Sequence, residues 1–243
     1  MIVAESLGKE FRARKRGAIR AVEKLSFSCT PGQIYGLLGA NGAGKTTALR
    51  MLATILAPTS GTASVAGFDI RRDPEKARQN SGFLSTATAL YGRLTALEMV
   101  EYFGSLYGLD SATVRRRTLA LFERLDISSI RHRRCEDLST GMKQRVSIAR
   151  TLVHDPPVMI FDEPTSGLDV ISARTIVAFI RECRASGKTV VFSTHVMSEA
   201  EKLCDKIGII HDGRLLAEGS LAELRSRYGY ADLEEIFVRV VSA

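Results

Sequence analysis

The nine residues Gly39-Ala40-Asn41-Gly42-Ala43-Gly44-Lys45-Thr46-Thr47 constrain this chain more than any other stretch. They fill every fixed position of the pattern G-x-x-x-x-G-K-[ST], a loop whose successive backbone N–H groups turn inward around a phosphate chain. Gly39, Gly42 and Gly44 give the backbone the freedom that turn requires, Lys45 reaches the terminal phosphates, and the Thr46 hydroxyl suits a magnesium ion. Asn41, Ala43 and Thr47 complete the expected nucleotide cradle. Such a loop needs a buried strand before it and a helix after it. Ile34 to Leu38 is an apolar run of strand length, and Leu49, Leu52, Ile55 and Leu56 follow at helical spacing. The helix would aim its positive dipole end at the nucleotide. An accidental glycine-rich turn would supply neither flank.

With 243 residues the chain can bury one large core, or one core with an insertion, but hardly two independent ones. Its 45% apolar and 25% charged residues are those of a globular protein. No apolar stretch approaches bilayer-spanning length, and Met1 to Glu10 lacks the basic start and apolar centre of a signal peptide, so a cytosolic chain is expected. Cys29, Cys135, Cys183 and Cys204 stand singly, without the spacing of a zinc or redox motif, and read as packed thiols. The net charge of +7 favours an acidic partner, whether nucleotide, nucleic acid or membrane surface, and does not choose among them. Basic clusters at Arg12–Arg20, Arg115–Arg117 and Arg131–Arg134 read as solvated faces or as binding patches. None interleaves with aromatic residues as single-strand binders do.

Short β-type runs at Met1–Ala4 and Leu25–Cys29, and a Pro31-Gly32 turn, lead to the phosphate loop. Phe11 lies upstream of a basic loop, where its ring would stack on an adenine or pack in the core. From Pro74 to Ile130 the pattern is mostly helical, clearest at Leu97–Tyr107 and Val114–Leu125. Ser139 is placed to cap a helix carrying Met142, Val146, Ala149 and Val153 on one stripe, stopped by Asp155-Pro156-Pro157. Val158–Phe161 is a buried-strand run ending in Asp162-Glu163. Ser172–Ser186 is an amphipathic helix stopped by Gly187, and Thr189–Ser193 is a further strand running into His195. Ser198–Glu201 reads as a capping box, residues 207–217 as a hairpin, and Leu221 to Ala243 as an amphipathic tail. Strands alternating with helices argue a parallel sheet.

Hydrolysis of a bound triphosphate needs a second magnesium ligand and a group to activate water. Asp162 fits the first task, directly or through a water, and Glu163 fits the second as general base, because both stand at the carboxyl end of a buried strand. Adjacent acids are common on surfaces; four apolar residues before them and a phosphate loop upstream set this pair apart. His195 would touch the γ-phosphate or the attacking water, since it too follows a core strand directly.

Leu138-Ser139-Thr140-Gly141-Met142-Lys143-Gln144 resembles the signature motif of ATP-binding cassette (ABC) ATPases, Ser166-Gly167-Leu168-Asp169 resembles their D-loop, and His195 their switch histidine. The resemblance covers nearly the whole chain. It implies an α/β P-loop NTPase of ABC type: a RecA-like mixed-sheet core with an N-terminal antiparallel β subdomain and an α-helical insertion. One ABC domain would fill residues 1–243, with the nucleotide-binding core in 1–86 and 156–220, the helical signature subdomain in 87–155 and a tail in 221–243. The implied cofactors are ATP and Mg²⁺. Two cassettes would face head to tail, with Ser139, the Gly141 amide and Asp169 of one reaching the ATP held by the other, so that hydrolysis requires a homodimer.

This chain departs from the family pattern at Thr140, where the signature has Gly, and at Met142, where it has Gln. Thr86 stands where the family places a magnesium-binding glutamine, and its shorter hydroxyl can still ligate the ion or its water. These departures, together with Leu90-Tyr91-Gly92-Arg93-Leu94-Thr95 and Asp232 to Phe237, resemble the ATPase subunits of ABC-2 type exporters, nearest the sodium-efflux (Nat-type) subunits. Docking on a transmembrane permease is then implied, which would hold the chain at the cytoplasmic face of the cell membrane, with no stable nucleic-acid partner. Tyr91 and Leu94 would line the groove for the permease or pack the insertion. Two other readings compete: a soluble ABC ATPase acting on nucleic acid or ribosomes, and an unrelated P-loop kinase or GTPase. The latter leaves Ser139 to Gln144 without a purpose.

Overall fold

The computed structural model describes residues 1–13, 17–85 and 89–242. In chain order the elements begin with β1 (Ile2–Ala13), β2 (Gly17–Cys29), β3 (Ile34–Leu38), α1 (Lys45–Leu52), β4 (Ser60–Val65), β5 (Phe68–Asp69), α2 (Pro74–Gln79) and β6 (Ser81–Ser85). Three helices follow, α3 (Ala96–Leu106), α4 (Ser111–Arg124) and α5 (Thr140–Leu152). The chain then returns to β7 (Val158–Asp162), α6 (Val170–Ala185), β8 (Thr189–Thr194), α7 (Met197–Leu203), β9 (Lys206–His211), β10 (Arg214–Gly219), α8 (Leu221–Tyr228) and α9 (Leu233–Val241).

Two sheets organise these elements. An antiparallel sheet has the order β2-β1-β4-β5, and a six-stranded sheet has the order β10-β9-β3-β8-β7-β6, parallel throughout except for β10 at its edge. Every residue of β3, β7 and β8 is buried, as expected of parallel strands covered on both faces. Successive side chains serve opposite cores. Met159, Phe161, Val190 and Phe192 join a cluster with α3 to α6, whereas Val158, Ile160 and Val191 join one with α1 and the antiparallel sheet. A third cluster packs α7, α8 and α9 on β9.

The sheet order positions the site. β3, β8 and β7 are neighbours, with Leu38 opposite Thr194 and Asp162 opposite Ser193, so the phosphate loop, His195 and Glu163 all leave adjacent carboxyl ends. Ligands bind at that edge in open α/β sheets.

The structure corrects several sequence expectations. β1 and β2 run 12 and 13 residues rather than the short runs expected; bulges at Ser6 and Lys24, both at positive φ, break the apolar alternation that marks a strand. β6 lies inside the stretch expected to be helical, and β4 and β5 precede it. α1 stops at Leu52, leaving Ile55 exposed. The capping box at Ser198–Glu201 does not form. α7 begins at Met197, the Val196 carbonyl accepts from Glu199 N–H and Ala200 N–H, and the Glu201 carboxylate accepts from Leu233 N–H and the Arg225 guanidinium instead. Thr86 lies outside the described residues. The expected caps at Ser139 and of the helix stopped by Gly187 are present.

Candidate active site

The end of β3 delivers the phosphate loop to a cleft lined by Ala21, Asn41, Gly42, Gly44, Lys45, Thr46, Thr47 and Glu163. Gly44 takes φ +104°, and a Cβ there would overlap the Ala21 carbonyl, so this position admits only glycine without displacing β2. Gly44→Ala is therefore expected to lower stability by about 1–3 kcal/mol and to blunt stabilisation by ATP. Thermal unfolding with and without ATP checks this, and an unchanged transition in both conditions would contradict it.

Lys45 is 5% exposed. Its ammonium donates to the Gly39 carbonyl at 2.7 Å and the Ala40 carbonyl at 3.0 Å, and lies 3.3 Å from Glu163 Oε1. The cation is thereby fixed at the mouth of the loop. Thr46, one residue on in α1, donates from Oγ1 to Asp162 Oδ1 at 3.0 Å. Asp162 is 3% exposed, and its Oδ1 also accepts from Ser193 Oγ at 2.8 Å. Among the described residues no basic side chain pairs with it. Buried carboxylates are normally paired with a cation or bound to a metal. A hydroxyl beside a buried carboxylate offers two oxygen ligands to a hard divalent ion, and Mg²⁺ keeps waters and phosphate oxygens for its other positions.

Glu163 leaves β7 at φ +48°, in the left-handed region that non-glycine residues seldom occupy. Its N–H donates to Ser193 Oγ at 3.0 Å, so one hydroxyl fixes both neighbouring acids. Its Oε1 faces Lys45 and also His195 Nδ1 at 3.2 Å, and Oε2 takes neither contact. With Nδ1 directed at Glu163, His195 keeps Nε2 for another partner.

The remaining predicted residues fall in two other places. Ser139 is exposed and caps α5, its hydroxyl accepting from Met142 N–H at 3.3 Å. A Cβ on Gly141 would lie 2.5 Å from Ser172 Oγ, so the signature segment packs directly on the start of α6. Asp169 caps that helix by accepting from the N–H groups of Ile171 and Ser172 and from the Ser172 hydroxyl; these bonds, led by the Ser172 N–H, hold its carboxyl below the usual range. Ser139, Gly141 and Asp169 thus form one surface cluster, and none of them lines the phosphate-loop cleft. Phe11 is 41% exposed, opposite Ile19 on the hairpin that borders the cleft through Ala21, with Lys9 Nζ 5.3 Å above its ring. Core packing, the alternative reading of Phe11, does not occur.

Sequence reasoning missed Ser193, whose hydroxyl orders both acids, and it assigned no contact to Gln144, whose amide donates to the Pro164 carbonyl at 2.9 Å. The only sequence signal for Ser193 was a hydroxyl placed at the end of a β-branched run.

The sequence model of the family described as ABC transporter matches residues 22–166 of this chain. The chain belongs to the ABC transporter family. It is an ATP-binding subunit and ATPase of that family, and its α/β fold is that of the ABC cassettes. The ABC transporter ATP-binding protein NatA of Bacillus subtilis (strain 168) is 40% identical over 239 residues, covering 98% of this chain and 97% of NatA. The Nod factor export ATP-binding protein I of Ralstonia nicotianae is 40% identical over 225 residues, covering 92% of this chain and 70% of that protein. Among solved structures, a dimeric ATP-binding cassette in a post-hydrolysis state bound to ADP and Pi superposes with a TM-score of 0.82 at 26% identity, covering 90% of this ABC chain and 98% of the other.

Proposed function

We propose that this chain is the motor subunit of an exporter, acting as a homodimer docked on a separate membrane-spanning permease. One observation carries the reading: the cleft lined by Lys45, Thr46 and Glu163, with Asp162 bonded to Thr46 and His195 beside Glu163, has no signature residue in its lining, while Ser139, Gly141 and Asp169 form a surface cluster of their own. A second copy placed head to tail completes each cleft with that cluster. ATP is then held by residues 39–47 of one copy and by Ser139 and the Gly141 amide of the other, with the base stacked on Phe11. Thr46 and Asp162 hold Mg²⁺, which supplies charge stabilisation of the transferring phosphoryl group. Glu163 is the general base, and His195 orients the water or the γ-phosphate. Residues 87–155 act as a helical subdomain that carries the signature toward the partner's ATP, against a core of 1–86 and 156–220.

A groove between the helical subdomain and the core supports docking. Phe83, Tyr91, Phe103, Tyr107 and Ile55 line it, Tyr91 is 57% exposed, and the guanidinium of Arg150 lies 4.7 Å over Phe103, its pKa lowered by burial. An aromatic groove with a fixed cation suits a helical segment of a permease. Leu94, by contrast, packs against the core. No helix among the described residues is long and apolar enough to cross a membrane, which supports a path supplied by a separate subunit. The likeness to a Nod factor export protein supports outward transport, and the resemblance to Nat-type subunits points to sodium ions as the cargo.

Affinity capture of the tagged chain from gently solubilised native membranes tests the assembly. A co-purifying multi-span membrane protein is the expected result. Recovery of ribosomes or nucleic acid without any membrane protein would overturn it.

A further inference from the structure

Glu163 and His195 stand on the short segments that follow β7 and β8, and one carboxylate joins those segments. Two residues beyond Glu163, Thr165 Oγ1 donates to Glu199 Oε1 at 2.6 Å. Immediately before His195, Thr194 Oγ1 donates to Glu199 Oε2 at 2.8 Å. Each carboxylate oxygen therefore serves a different segment. Thr194 Oγ1 in turn accepts from Val196 N–H at 3.0 Å, so the residues on both sides of His195 are tied to the same bridge. Glu199 itself is fixed in the first turn of α7, where its N–H donates to the Val196 carbonyl at 3.2 Å. It is half-buried and, among the described residues, forms no ion pair. Hydroxyl-to-carboxylate bonds of this length are roughly twice as strong as neutral ones.

The His195 ring needs such a tether. Its side chain is 44% exposed, and its one close polar contact among the described residues is Nδ1 with Glu163 Oε1 at 3.2 Å. Packing alone does not orient a ring so placed. We propose that Glu199 is a positioning residue for ATP hydrolysis: by bridging Thr165 and Thr194, it holds the His195 ring in register with the Glu163 carboxylate. The inference rests on the catalytic roles proposed above for Glu163 and His195. Glu199 acts through His195 and touches no reacting atom.

The test is a double-mutant cycle on the full chain, reading kcat and KM for ATP in wild type, Glu199→Ala, His195→Ala and the double variant. Glu199→Ala is expected to lower kcat about tenfold while KM stays within about twofold, because the nucleotide contacts are intact and only alignment is lost. Glu199→Gln should keep at least about half the rate, since its amide can accept from one threonine hydroxyl and donate to the other. In the His195→Ala background Glu199→Ala should cause no further loss. Wild-type kcat in Glu199→Ala overturns the proposal, as does a loss of the same factor with and without His195, which marks a role in general stability. Should Glu199→Ala fail to fold, Thr165→Val removes one arm of the bridge and is read identically, with about a threefold fall expected only when His195 is present. Full turnover in His195→Ala would sink the catalytic reading and this inference together. A deep loss in His195→Ala beside full activity in Glu199→Ala would sink the bridge alone.

Discussion

Glu163→Gln is expected to lower kcat for ATP hydrolysis by at least about a hundredfold, the usual worth of a positioned general base. The amide keeps the size of the side chain but cannot take a proton from water. Nothing that holds Asp162 changes, because Thr46 and Ser193 bond its Oδ1 independently of residue 163, and the N–H of that residue still reaches Ser193 Oγ. ATP affinity should hold or rise. The carboxylate 3.3 Å from Lys45 competes with phosphate for the same cation, and the substitution removes that competitor. Retained affinity with lost turnover also predicts accumulation of an ATP-bound dimer, visible as an ATP-dependent shift in size-exclusion chromatography. Single-turnover kinetics separate the chemical step from binding. A variant with wild-type turnover would remove Glu163 from the role of base.

The parts of this site that the sequence made legible are those written in consecutive residues. The phosphate loop, the strand before it and the Asp162-Glu163 pair are local patterns, in which a run of apolar residues and the chemistry at its end lie within ten positions. The parts that were not legible depend on pairing across long separations. β6 joins the sheet only through β7, Ser81 standing opposite Val158 and Ser85 opposite Asp162, and its five residues sit beside helix-forming segments that dominate any local reading. Ser193 becomes a site residue through the register that sets it opposite Asp162. Glu199 shows the same limit from the other side. The cap expected for its helix paired Ser198 with Glu201 and gave Glu199 no role, yet the Glu199 carboxylate is taken by Thr165, 34 positions away. Phe11 was ambiguous for a simpler reason, since an aromatic ring satisfies core packing and base stacking equally until its exposure is known.

Lys45→Ala should raise the Kd for ATP about thirtyfold, equivalent to about 2 kcal/mol, the loss expected when charged hydrogen bonds to a phosphate chain disappear. The lysine is held for that contact before any nucleotide arrives: two loop carbonyls fix its ammonium, so little side-chain freedom remains to be lost on binding. Removing it also leaves the Gly39 carbonyl without its donor and Glu163 without its nearest cation. Loop shape and charge balance therefore change together. Lys45→Met separates the two terms by keeping the aliphatic stem, and an equal loss of affinity in both variants assigns the effect to the ammonium. Ligand-induced stabilisation gives the measurement. At ATP one hundred times the wild-type Kd, the wild-type chain gains about 2.7 kcal/mol of stability, and a thirtyfold weaker binder gains about 0.9 kcal/mol. Equal stabilisation of wild type and variant by ATP would contradict the assignment of residues 39–47 as the phosphate cradle. The same comparison in Glu163→Gln should give stabilisation at least as large as wild type, so the two substitutions, 3.3 Å apart in the structure, are expected to move ATP affinity in opposite directions.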